Sequence, residues 1–202
     1  MKTVRKALLV ALCTILLVVA SVMGTLAYLT DQTGTINNTF TVGNVSFAET
    51  ALDEAVTDEY GAVTTGRTAE GNEYKLIPGH TYVKDPKIYM SDTTEDAWLF
   101  VKVSNGISDI EVAAADGDTI HEQILANGWE VVDEAKGIYG HTAKVSKNNT
   151  IDVFGSFTLA TDADVSNYGE AFITIQAYAV QYDGLDDVQA AWTSAPLAAW
   201  NN

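Results

Sequence analysis

The side chains of this chain that could do chemistry are three histidines, His80, His121 and His141, and a surplus of carboxylates. His121-Glu122 opens like the zinc-protease pattern HExxH, in which two imidazoles one helical turn apart hold the metal and the glutamate acts as base. Position 125 is Leu125, so the second imidazole is missing. A zinc centre would then need all three histidines gathered by the fold, and the metal-dependent protease reading hangs on that. The plainer expectation is three surface or turn histidines.

Residues 162–170, Asp-Ala-Asp-Val-Ser-Asn-Tyr-Gly-Glu, alternate oxygen-bearing side chains as a calcium loop does. Their glycine falls at Gly169, where an EF-hand would need it at Asn167, and the bidentate acid is displaced. Asp116-Gly117-Asp118 is incomplete in the same way. Solvated acidic turns are therefore expected, with weak calcium binding the one cofactor left open. No P-loop, dinucleotide fingerprint or nucleophile elbow is present. Trp98, Trp129 and Trp192 stand at strand starts or on a helix face, where core packing is expected over a sugar platform. The sequons at Asn37, Asn44 and Asn148 read as incidental. The expectation is no catalytic, cofactor-binding or metal residue, and no enzyme.

The chain has 202 residues, 27 acidic against 11 basic side chains and a net charge of −16. That balance speaks against nucleic acid as a partner. A hydrophobic fraction of 47 % is enough to fill a core and argues against disorder. Lys2, Arg5 and Lys6 precede an apolar stretch over residues 7–23, and the small residues of Gly24-Thr25-Leu26-Ala27 follow it. Charged start, apolar middle and small-residue exit describe a secretory signal peptide over 1–27, cleaved between Ala27 and Tyr28. Its loss removes three basic residues and the single cysteine, Cys13. The mature chain then carries a charge of −19 and no thiol, so it holds together without disulfides.

The elements that must position these residues are mostly strands, because apolar periodicity is mostly two. Extended segments are expected over 39–47 with a bend at Gly43-Asn44, over 82–90, 98–103, 129–132, 138–145 and 150–159, and over 171–182. Pro86 would place the 82–90 segment at a sheet edge. Residues 53–72 read as a loop or loosely formed hairpin. A helix over 118–126, capped by Asp118 and ended by Asn127-Gly128, and a short amphipathic helix over 185–192 complete the set. About eight strands without strand–helix alternation predict an all-β fold, an antiparallel jelly-roll-like β-sandwich with one or two short helices over residues 39–202.

The stretch Gly24-Thr25-Leu26-Ala27-Tyr28-Leu29-Thr30-Asp31, followed by Asn38-Thr39-Phe40-Thr41-Val42-Gly43-Asn44-Val45, resembles the SipW-type signal peptide and first strand of the TasA/camelysin family of Gram-positive bacteria. Lys75-Leu76-Ile77-Pro78-Gly79 leading to Lys84-Asp85-Pro86, Glu95-Asp96-Ala97-Trp98-Leu99-Phe100-Val101-Lys102-Val103, and Ile175-Gln176-Ala177-Tyr178-Ala179-Val180-Gln181 with Ala190-Ala191-Trp192 are similar to later parts of such proteins. The resemblance implies a jelly-roll sandwich, export through a dedicated signal peptidase with only transient membrane contact, and a place in extracellular matrix or cell-surface fibres. In fibre-forming relatives the mature N-terminus inserts as a strand into the next subunit. The matching segment here is 28–38, with Tyr28, Leu29, Thr30, Asp31 and Ile36 as candidate donor-strand residues. Partners so implied are further copies of the chain and minor or accessory matrix proteins. The alternatives are a monomeric surface module binding a glycan, a host protein or calcium, and a camelysin-like metalloprotease, which no ligand pair in this sequence supports.

Overall fold

Among the described residues the chain forms ten strands and two α-helices, one in each segment expected to be helical, while residues 44–46 of the strand expected over 39–47 lie in no strand. The computed structural model describes residues 44–113 and 117–194. The expected leader 1–27, its Ala27–Tyr28 junction, the donor segment 28–38 with Leu29, Thr30, Asp31 and Ile36, and Trp200 lie outside the described residues. In chain order the strands are β1 (Phe47–Thr57), β2 (Val63–Thr68), β3 (Thr81–Val83), β4 (Lys87–Met90), β5 (Ala97–Asn105), β6 (Trp129–Asp133), β7 (Ile138–His141), β8 (Thr150–Asp152), β9 (Ser156–Thr158) and β10 (Ile173–Gln181). Helix α1 (Ile120–Ala126) precedes β6 and α2 (Val188–Ser194) follows β10. All pairings are antiparallel, in three sheets ordered β2-β1-β4-β8, β10-β5-β7-β6 and β3-β9. The fold is all-β with two short helices.

β5 is central because its sequence, Ala-Trp-Leu-Phe-Val, is apolar on both faces, the pattern of a strand covered on two sides. Leu99 and Val101 face a core that also takes Ile88 and Met90 from β4, Tyr82 from β3, Phe157 from β9 and Trp129 from β6. Trp98 and Phe100 face the other way, into a second cluster with Ile138 of β7 and Val188 and Ala191 of α2. The helix therefore forms a further layer on the outer face of the β5 sheet. Gly140 of β7 permits that approach, since a Cβ there would lie 2.4 Å from the Val188 Cγ2.

Several local expectations need correction. Residues 53–72 are not a loop: β1 runs to Thr57 and pairs with β2 as a formed hairpin. Arg67 fastens it, its Nε donating to Asp53 at 2.6 Å and its Nη1 to Asp85 at 2.8 Å. β4 lies between β1 and β8, so it is not an edge strand; Pro86 precedes it, where its missing N–H costs no ladder bond. The expected continuous strands over 82–90 and 150–159 are each divided between two sheets. They nonetheless keep one register across the break. Thr81 faces Thr158 and Ile88 faces Ile151. Between the paired stretches the Lys84 N–H donates to the Gly155 carbonyl at 3.1 Å and the Val153 N–H to that of Pro86 at 3.0 Å. β7 ends at His141, and Val145 rejoins the sheet through a single bridge to Ala97.

Helix α1 is capped by Thr119, not Asp118. Thr119 and Glu122 form a capping box, the threonine oxygen accepting from the Glu122 N–H and the glutamate accepting from the Thr119 N–H. Glu111 Oε1 also accepts the first helical N–H, from Ile120, at 2.6 Å, and its Oε2 accepts from Asn105 at 2.9 Å. Burial pushes the Glu111 carboxyl above the usual glutamate range, outweighing the pull of these two donors. The folded chain thus binds this proton more tightly than the unfolded chain. The contribution of Glu111 to stability must fall as pH rises from the ordinary glutamate range through the raised folded value. We expect the Glu111→Gln variant to lack that fall. Its melting temperature relative to wild type should climb between about pH 4 and pH 7, and a difference independent of pH would contradict the assignment.

Candidate functional site

A chain that assembles by strand addition must present an unpaired strand edge, so the six strands that end the three sheets among the described residues are the places to look. Five of them are blunted. β2 carries Gly66 at φ +88° and Arg67. β6 carries Glu130 and Asp133, β8 carries Asp152 and is three residues long, and β3 and β9 are also three residues long. Short length, charge and local distortion are the devices by which sheet edges avoid further pairing.

β10 has none of these. It is nine residues long, Ile-Thr-Ile-Gln-Ala-Tyr-Ala-Val-Gln, and unbroken in register against β5 from Ile173–Asn105 to Gln181–Ala97. Among the described residues β5 is its only neighbour. No charged residue, proline or glycine occurs between Glu170 and Asp183, although the whole chain has a net charge of −16. One face of the strand, Ile173, Ile175, Ala177 and Ala179, packs on the main core but stays half-buried, while Leu99 and Val101 alongside are fully buried. The other face sets Tyr178 and Val180 on the α2 side, with Tyr182 just beyond the strand. Phe172, expected on this face with Thr174 and Gln176, precedes the strand by one residue and is 72 % exposed. The result is an uncharged ribbon with apolar margins whose one sheet neighbour among the described residues is β5.

Sequence reasoning found this strand and its two faces. It missed the edge position, whose local signal was the charge-free run itself.

The residues singled out for metal chemistry are not brought together. Among the described residues no group of three or more histidine, cysteine or acidic side chains is arranged to hold a metal ion. His80 Nε2 lies 2.8 Å from the Tyr60 carbonyl oxygen, His121 Nδ1 is 2.9 Å from the Tyr139 hydroxyl, and His141 Nδ1 is 2.7 Å from the Ala143 carbonyl oxygen. Glu122, the base of an HExxH reading, is occupied by its capping box. In the 162–170 loop Asp164 Oδ1 accepts from the Ser166 N–H at 3.0 Å and caps a 3-10 turn, Val165–Asn167. Hydrogen bonds from the Ser166 hydroxyl and N–H hold the Asp164 carboxyl below its ordinary range. Asp116 lies outside the described residues. Trp98 and Trp129 are buried, and the Trp129 Nε1–H donates to the Asp152 carbonyl at 2.9 Å. Trp192 stands against the Phe100 ring with centroids 5.5 Å apart.

No protein-family model, curated protein or solved structure matches the chain. Among the described residues no helix is long and apolar enough to cross a membrane.

Proposed function

We propose that this chain is the secreted structural subunit of a bacterial extracellular-matrix or cell-surface fibre. Its fold is a jelly-roll β-sandwich, freed by cleavage after Ala27, and it performs no catalysis. Residues 28–38 of one copy add as a strand to the β10 edge of the next. The observation that carries this reading is the β10 edge: long, regular, free of charge, and single-sided among the described residues. Main-chain hydrogen bonds along nine residues would supply affinity, and the half-buried Ile173, Ile175, Ala177 and Ala179 would gain cover from the incoming side chains. Donor and acceptor are different parts of the chain, so the contact is head-to-tail and grows without closing. The signal-like N-terminus and its likeness to SipW-dependent matrix proteins support export and the fibre role, and accessory matrix proteins could join through the same edge.

The test is deletion of residues 28–38 from the mature protein, followed by electron microscopy and sedimentation. Fibre mass should fall at least about tenfold, the change that loss of some 1.4 kcal/mol from a contact produces. Undiminished fibres would overturn the donor-strand mechanism.

A further inference from the structure

The region first read as a loop holds a buried arrangement that edge pairing does not use. Glu54 of β1 and Lys84, just after β3, are 5 % and 7 % exposed and form an ion pair, Lys84 Nζ donating to Glu54 Oε2. Removing two charges from water is costly, and a buried pair is weak as a stabilising device on its own. The pair also does not account for Asn72, which follows β2. The Asn72 Nδ2 donates to the other oxygen of the same carboxylate, Glu54 Oε1, at 2.7 Å, and to the Ala55 carbonyl at 2.9 Å. The Asn72 Oδ1 accepts the Thr57 N–H at 2.9 Å. An amine, a carboxylate and a carboxamide are thus joined through one glutamate, with a backbone donor on the carboxamide oxygen. The site is walled by Tyr74, whose phenol burial pushes up to about 12.

These are the parts of an aminolysis reaction. A nucleophile needs a base beside it, an acyl carbon needs its oxygen held by a donor, and a poor leaving group needs a proton. We infer that Lys84 and Asn72 form an intramolecular isopeptide bond, with Glu54 as the proton carrier and the Thr57 N–H as the oxyanion donor. The proton on Lys84 Nζ passes to Glu54 Oε2, and the amine lone pair then forms the bond to Asn72 Cγ. The carbonyl electron pair moves onto Oδ1, where the Thr57 N–H holds it. Glu54 delivers a proton to Nδ2 from the Oε1 side and takes a second from Nζ. The Oδ1 pair reforms the carbonyl, the Cγ–Nδ2 bond breaks and ammonia leaves. Of the three protons on the starting ammonium, one stays in the new amide, one departs in ammonia and one ends on Glu54. No oxidant or cofactor is consumed. The bond would tie the segment after β2 to the segment joining β3 and β4, a covalent brace in a chain whose one cysteine lies at position 13.

This inference is independent of the fibre reading. It is tested by intact-mass and peptide mass spectrometry of the purified protein. The expected wild-type mass is lower than the sequence mass by one ammonia. A tryptic digest should contain a branched species joining peptide 68–75 to peptide 76–87, uncut after Lys84, and the Glu54→Ala variant should show neither. The full sequence mass in wild type would overturn the inference. So would an ammonia loss that maps elsewhere, for example to a succinimide at Asn127-Gly128. The wild-type spectrum decides the matter whether or not the variant folds.

Discussion

Combining Thr174→Glu with Gln176→Glu should leave the monomer folded and lower fibre formation by at least about tenfold, the equivalent of 1.4 kcal/mol at the contact. Both positions lie on β10 and are solvent-exposed, so the substitutions remove no core contact. Gln176 stands opposite Lys102 and Thr174 opposite Ser104, so a carboxylate at 176 meets an opposite charge across the strand pair and supports it. The same carboxylates place two negative charges on the one long edge strand that, among the described residues, has no charge of its own. Charge at an edge is the usual natural barrier to further pairing, because an incoming strand would have to desolvate it. Circular dichroism should report an unchanged melting temperature, and sedimentation and electron microscopy should report the loss of fibres. A folded variant that fibrillates at the wild-type rate would show that β10 is not the acceptor.

Leu99→Ala and Phe100→Ala should both be severely destabilising, by about 2–5 and about 3–5 kcal/mol respectively. The two residues are adjacent on β5, so their side chains leave the sheet on opposite faces. In an ordinary two-layer sandwich one of the two would face water and its truncation would be cheap. Here both are fully buried, Leu99 in the core shared by the three sheets and Phe100 beneath α2, against Trp192 and close to Gly140. At about 2–4 °C per kcal/mol for a domain of this size, each variant should melt on the order of 10 °C below wild type. A loss under about 1 kcal/mol for Phe100→Ala would mean that α2 does not cover that face.

Much of this architecture was legible in the chain because it follows from local pattern. The both-sided apolar run of β5, the alternation of β10 and the helical spacing of Ile120 and Ile124 each report burial within a few residues. Charged hairpins are harder. β1 and β2 present Asp53, Glu54 and Arg67 where apolar alternation would be expected, and they are held by ion pairs with Asp85 and Lys84, distant in sequence. Nothing within residues 53–72 signals those partners. The helix cap was misplaced by one residue because Asp118 and Thr119 are both good caps. The Glu122 capping box and the Glu111 bond to the Ile120 N–H select Thr119.

By itself, then, the sequence determined the strand-rich class, the two faces of β5 and β10, the approximate helix positions and the strong negative charge, since all of these depend on residue type and short-range spacing. Only the tertiary structure decided which strand ends a sheet, which apolar face receives a helix, and which buried lysine, glutamate and asparagine meet. Those relations join residues tens of positions apart. An edge is defined by the neighbours a strand lacks, and a reactive cluster by the distances between side chains, neither of which is written in the order of residues along the chain.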